Sequence, residues 1–118
     1  MEKETTLDAK STVKGIGCCS GTLTAPVVLI DGMPRVEATL TGKILVAHYF
    51  EPGWINLFAQ AAGIVSEKGN LLSHTAILCR EMGIPAIVGA KGIVGLLRDG
   101  DQIRINGTTG EINLLSHD

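Results

Sequence analysis

The sequence predicts a mixed α/β domain with strands at both ends of the chain and helices in its middle. Three observations lead there. Short runs of β-branched and aliphatic residues occur near both ends. Two central stretches carry helix start and stop signals. Leu, Ile, Val and Phe make up 35 of 118 residues, enough for a core without disulfide support. The expected order is strands, helix, strand, helix, strand, short helix, hairpin. That order suits a layered domain with closing β-structure better than a regular doubly wound sheet.

Residues 1–14 are polar, mixed in charge and without periodicity, and read as a flexible tail or linker. The domain proper is expected over residues 15–115, with 116–118 as a C-terminal tail. Gly15 to Gly21 holds three glycines in seven residues and is too glycine-rich for a helix. Thr22 to Ile30 is rich in strand-forming residues, with Pro26 expected at an edge or bulge. Asp31-Gly32-Met33-Pro34 signals a turn, and Lys43 to Ala47 reads as a short buried strand. Pro52 and Gly63 frame a helix from Trp54 to Ala62, whose Trp54, Leu57, Phe58, Ala61 and Ala62 share one face.

Gly63 to Ser66 restarts a strand, and Glu67 to Asn70 turns. A second helix is expected from about His74 to Met82. Ser73 is its N-cap candidate, Gly83 its stop, and Pro85 blocks continuation. Ala86-Ile87-Val88 is a further buried strand, and Ile93 to Leu97 a short helix. Gln102 to Ile105 and Glu111 to Leu114 alternate as the arms of a hairpin about Gly107-Thr108-Thr109-Gly110.

Composition excludes several functions. A net charge of -2 and four aromatic residues argue against binding nucleic acid by phosphate neutralisation or base stacking. No apolar stretch reaches the ~18 residues that span a bilayer, and no apolar segment marks a secretory signal, so no membrane association is expected. Three cysteines, Cys18, Cys19 and Cys79, make a poor disulfide framework and suit a reducing, cytoplasmic setting as small buried hydrophobes. His48, His74 and His117 lie far apart and form no ligand pair of motif spacing, so no metal site is expected. With 15 glycines and so few aromatics, the domain has little with which to enclose a substrate.

The chemistry concentrates in Gly69 to Gly89, GNLLSHTAILCREMGIPAIVG. A histidine at a helix start sits beside the free N–H groups of the first turn, which bind anions. The same positive end disfavours imidazolium, so the ring stays neutral and nucleophilic. His74 therefore combines a nucleophile for phosphorus with a cradle for the charge it would receive. Gly69 lets the backbone approach that group closely. On this chemistry alone, an ordinary surface histidine is the competing reading.

The segment resembles the phosphohistidine motif of the mobile, or swivelling, domain of phosphoenolpyruvate-utilising enzymes. Ser73-His74-Thr75-Ala76-Ile77, Arg80-Glu81 and Gly83-Ile84-Pro85-Ala86-Ile87-Val88-Gly89 carry the likeness. It extends to Ala62–Glu67, to the opening Gly15–Gly21, and to the closing Asp99-Gly100-Asp101 and Thr109-Gly110. The chain departs from the pattern at Asn70, where many members have glycine, and at Leu72, where several have Thr. Asn tolerates left-handed geometry, and an aliphatic residue at the second position is found in rifampicin-phosphotransferase-like members.

The resemblance implies a three-layer β/β/α swivelling phosphohistidine domain with His74 as the residue phosphorylated in turnover. Gly69, Ser73 and Thr75 would hold the phosphoryl group. Arg80 would steady that group or form a structural pair. Lys68 and Lys91 are candidates for docking a partner or plain surface residues, and His48 and His117 are incidental. No P-loop pattern is present. The resemblance thus implies a carrier that binds no cofactor itself. Mg2+ and ATP or phosphoenolpyruvate would sit on partner nucleotide-binding and phosphoenolpyruvate/pyruvate-binding domains. A non-catalytic regulatory or ligand-binding module on the same scaffold is the alternative. An aconitase-type swivelling domain is a third reading, one that needs neither the histidine nor the Gly-Ile-Pro stretch.

Overall fold

Every residue of Ile44–Ala47, Gly63–Ser66 and Ala86–Val88 is buried. Strands buried on both faces need cover on both sides. The computed structural model, which describes residues 12–30, 41–50, 58–70, 73–98 and 100–116, supplies that cover. The strands are β1 (Thr12–Lys14), β2 (Ile16–Cys19), β3 (Thr22–Leu29), β4 (Ile44–Ala47), β5 (Gly63–Ser66), β6 (Ala86–Val88), β7 (Gln102–Asn106) and β8 (Glu111–Ser116). Helix α1 (His74–Met82) lies between β5 and β6, and α2 (Ile93–Leu96) between β6 and β7.

The strand order is β1-β8-β7-β3-β4-β5-β6-β2. Strands β3, β4, β5 and β6 pair in parallel, while β2 closes one edge and β7, β8 and β1 extend the other, all antiparallel. Strand β3 belongs to both halves: Thr22–Pro26 pair with β7 and Val27–Leu29 with β4. Pro26 sits at that change of partner, where a missing N–H disrupts the ladder least. The sequence expectation of an edge or bulge position is thus replaced by a handover in a central strand.

Alternation along the parallel strands sorts the core into two clusters. Ile44, Val46, Val65 and Ile87 point to one side, where they pack with Ile103, Ile105 and Ile112 of the β7–β8 hairpin and with Ile93 of α2. Leu45, Ile64, Ala86 and Val88 point to the other, against Ala76 and Cys79 of α1, with Phe58 among them. Sheet, sheet and helix form three layers, as the resemblance implied. Each fully buried Ile or Leu contributes about 1.5–3 kcal/mol relative to exposure.

Two boundaries differ from expectation. Thr12–Lys14, assigned to the tail, form β1 on the outer edge of β8, and β8 runs to Ser116. The turn expected at residues 31–34, residues 54–57 of the helix expected over 54–62, Leu72 and His117 lie outside the described residues. In the rest of that expected helix Phe58 is helical, but 59–60 form a turn and 61–62 are not helical. Among the described residues, no helix is long and apolar enough to cross a membrane.

Candidate functional site

Parallel strands deliver their following loops to one edge of a sheet, and ligands bind there in open α/β folds. Here that edge collects His48-Tyr49-Phe50 after β4, Glu67 to Asn70 after β5, and Gly89 to Gly92 after β6. The chain between β5 and β6 folds as α1, so the N-terminus of α1 arrives at the same edge. A cleft of about 190 Å³ opens there between Tyr49, Phe50, Ser66, Lys68, Gly69 and the start of α1.

Helix α1 begins and ends where its sequence signals put it. Ser73 has extended geometry (φ -70°, ψ 156°) ahead of the first helical residue, His74. Gly83 closes the helix in the left-handed region (φ 72°, ψ 28°), and the amide of Ile84 donates to the Cys79 carbonyl at 3.0 Å. The Ser73 hydroxyl does not cap the helix. It donates to the Asn70 carbonyl at 2.7 Å, beside the Ser73 amide, which donates to the same oxygen at 3.0 Å. The hydroxyl closes the turn before the helix, and the first turn also lacks an acidic residue. Its N–H groups thus have no side-chain acceptor from the cap position.

His74 is exposed at this helix end, with Ser73 and Thr75 half-buried on either side, and all three line the cleft. Gly69 joins them with a φ of +115°. A Cβ there would stand 3.0 Å from the Ser73 Oγ, so only glycine leaves the turn its present form. The structure thus brings Gly69, Ser73, His74 and Thr75 together. Arg80 is exposed in the last turn of α1, outside the residues lining the cleft. Its charge acts on Cys18 of β2 below the helix, easing the rise in thiol pKa that burial imposes there.

Several residues at this edge escaped the sequence reading. Ser66 is 2% exposed, and its hydroxyl donates to the Lys68 carbonyl at 2.7 Å and lies 3.3 Å from that of His48. It ties the β4 loop to the β5 loop under the cleft. Its one sequence signal is a hydroxyl ending an otherwise apolar strand. His48, expected to be incidental, donates from Nδ1 to Glu67 Oε1 at 2.5 Å. The other oxygen of Glu67 accepts from the Val94 amide at 3.1 Å, in the first turn of α2. Glu67 therefore fastens three loops. Tyr49 and Phe50 form the aromatic wall of the cleft, and Phe50 meets Phe58 edge-on at 5.2 Å between centroids. All three cysteines are free thiols, Cys18 and Cys79 buried. Burial, with the neighbouring thiols Cys18 and Cys19, pushes Cys79 up to about 12. Among the described residues no three His, Cys, Asp or Glu side chains group to hold a metal.

Comparison with known proteins agrees on both fold and family. In aconitase X from Thermococcus kodakaraensis, a similar fold covers 89% of this chain and 98% of that one, with a TM-score of 0.69. The sequence identity there is 19%, so the likeness is one of fold alone. Sequence relatives point elsewhere. An uncharacterized phosphotransferase of Bacillus subtilis is 38% identical over 112 residues, 92% of this chain and 14% of that protein. A rifampicin phosphotransferase of a Streptomyces species is 42% identical over 104 residues, 86% of this chain and 12% of that protein. The chain therefore spans about an eighth of the length of these relatives. Residues 39–110 match the family model described as the mobile domain of PEP-utilising enzymes, a span holding β4 through the β7–β8 turn and the whole cleft. On the family match and the identity of its relatives, the chain belongs to the mobile-domain family of PEP-utilising enzymes.

Proposed function

We propose that this domain is a phosphoryl carrier and that His74 is its transient acceptor. The observation that supports this most is the start of α1. An exposed imidazole occupies the first helical position, above N–H groups to which the cap side chain offers no acceptor. A ring nitrogen attacks the donor's phosphorus. The N–P bond forms as the P–O bond to the leaving oxygen breaks, and that oxygen departs with the electron pair. The phosphoryl oxygens face the first-turn amides and the positive end of the helix dipole. Ser73 and Thr75 border the group, and Gly69 leaves room for it. At an acceptor site the same exchange runs in reverse.

Positioning and electrostatic stabilisation dominate phosphoryl transfer. In this reading the carrier supplies the nucleophile. A nucleotide-binding domain and a phosphoenolpyruvate/pyruvate-binding domain supply Mg2+, donor and acceptor. Arg80, at the far end of α1 and outside the cleft, is in this reading a structural residue whose charge bears on Cys18 of β2 and not on the phosphoryl group. The relatives' much greater length leaves ample chain for such partner domains.

The test is phosphorylation with the cognate partner and donor. One phosphoryl group is expected on His74, acid-labile and base-stable, and absent from His74→Ala. Persistent labelling of that variant would overturn the assignment. Ligand binding without turnover in the wild type, merely weakened in His74→Gln, would favour the regulatory module.

A further inference from the structure

A second cleft, of about 390 Å³, adjoins the first and shares Lys68 and Gly69 with it. Glu67, Gly89, Lys91 and Gly92 complete its walls. Three of its six residues are glycines, so backbone forms much of the surface. Lys68 and Lys91 are both exposed, and among the described residues no carboxylate pairs with either. The one carboxylate in the wall is engaged elsewhere, with one oxygen on His48 and the other on the Val94 amide. The cleft thus presents two ammonium groups and no anion directed at them.

A single surface lysine is ordinary. Two on one cleft, opening onto the cleft of a candidate phosphoryl acceptor, select for charge. A ligand with one anionic group can satisfy only one ammonium. A chain of phosphates carries several charges spaced along a flexible backbone and can engage both. Lysine suits such a ligand as a compact point charge on a flexible stem. We propose that Lys68 and Lys91 bind the polyphosphate chain of a phosphoryl donor through the phosphates that are not transferred. The transferred phosphate then faces His74. The proposal rests on the carrier reading of His74 for the ligand's role, though not for its binding.

The experiment is an NMR titration of the full 15N-labelled chain with sodium triphosphate at constant ionic strength. Parallel arms use phosphoenolpyruvate and sulfate. Triphosphate should move the amides of Lys68, Gly69, Gly89, Lys91 and Gly92 and bind more tightly than either comparison anion. Binding should weaken roughly fivefold or more in Lys68→Gln/Lys91→Gln. Both lysines are exposed, so the variant's spectrum reports directly whether it is folded. The single variants Lys68→Gln and Lys91→Gln should each lose part of the affinity. Unchanged affinity in the double variant would overturn the proposal. So would equal shifts at Lys14 and Lys43, or phosphoenolpyruvate binding as tightly as triphosphate. His74→Ala should retain triphosphate binding. If the wild type then fails to phosphorylate at His74, the carrier reading falls while the polyphosphate site stands.

Discussion

Gly69 and Cys79 show how much a single position can fix. Gly69 holds a φ that disfavours any side chain, and a Cβ would press on the Ser73 hydroxyl that closes the turn before His74. Gly69→Ala should therefore destabilise the domain by at least about 1–2 kcal/mol, read as a lower urea midpoint. An unchanged midpoint would mean that the turn relaxes freely. Cys79 makes a pH prediction. Burial raises its folded pKa to about 12, above the ordinary thiol value of 9.0. Between those values the unfolded chain has lost a proton that the folded chain keeps. The unfolded state then binds fewer protons, so stability falls as pH rises. The group's contribution is whole below pH 9 and declines by up to about 1.4 kcal/mol per unit above it. Urea melts between pH 8 and 11 should show the decline in wild type and a shallower one in Cys79→Ala. Equal slopes would remove the effect.

At the scale of elements, Glu67 links the β5 loop to His48 after β4 and to the first turn of α2. Glu67→Ala should free the Val94 amide and cost about 0.5–2 kcal/mol, the range for losing a helix-capping acceptor. Faster hydrogen exchange at Val94 with little change at Ile105 would locate the loss; uniform exchange across both would instead indicate a global effect. That contact also marks the limit of sequence reading. Helix α1 was legible because Ser73, Gly83 and Pro85 are local signals, and β4, β5 and β6 because continuous apolar runs announce burial. The core of the candidate site was legible for the same reason, since Gly69, Ser73, His74 and Thr75 lie within seven residues. The contribution of His48, Ser66, Tyr49 and Phe50 was not, because only the parallel pairing of β4 with β5 brings those loops to one edge. Strand β1 was invisible too. Its short polar sequence resembles a tail, and its partner strand lies about a hundred residues away, as in the bond from Asn113 Nδ2 to Thr12 Oγ1.

Over the whole molecule, the glycine content acquires a structural cause. The glycine-rich opening of the chain meets the β7–β8 turn where β2 closes against the hairpin. The Gly15 amide donates to the Gly110 carbonyl at 2.8 Å, and the Gly107 amide to the Gly21 carbonyl at 2.8 Å. A Cβ on Gly17 would overlap the Gly107 carbonyl, one on Gly107 the Cys19 carbonyl, and one on Gly110 the Gly15 carbonyl. Backbone here packs on backbone, and no other residue is thin enough. The obstacles are main-chain atoms, which cannot swing aside like the end of a side chain. Gly107→Ala must therefore separate β2 from the hairpin, exposing core residues such as Ile105 and Ile112. It should cost at least about 3 kcal/mol, in the range of core disruption. Gly95 in α2 is the control. It is exposed, has no positive φ, and a Cβ would meet nothing within 4 Å. Gly95→Ala should be neutral or stabilise by about 0.5–1 kcal/mol, because alanine favours the helix and restricts the unfolded chain. In thermal melts Gly107→Ala should fall well below wild type, while Gly95→Ala should match or exceed it. If Gly107→Ala melts like Gly95→Ala, the closure of β2 on the hairpin is not what holds the two sheets together.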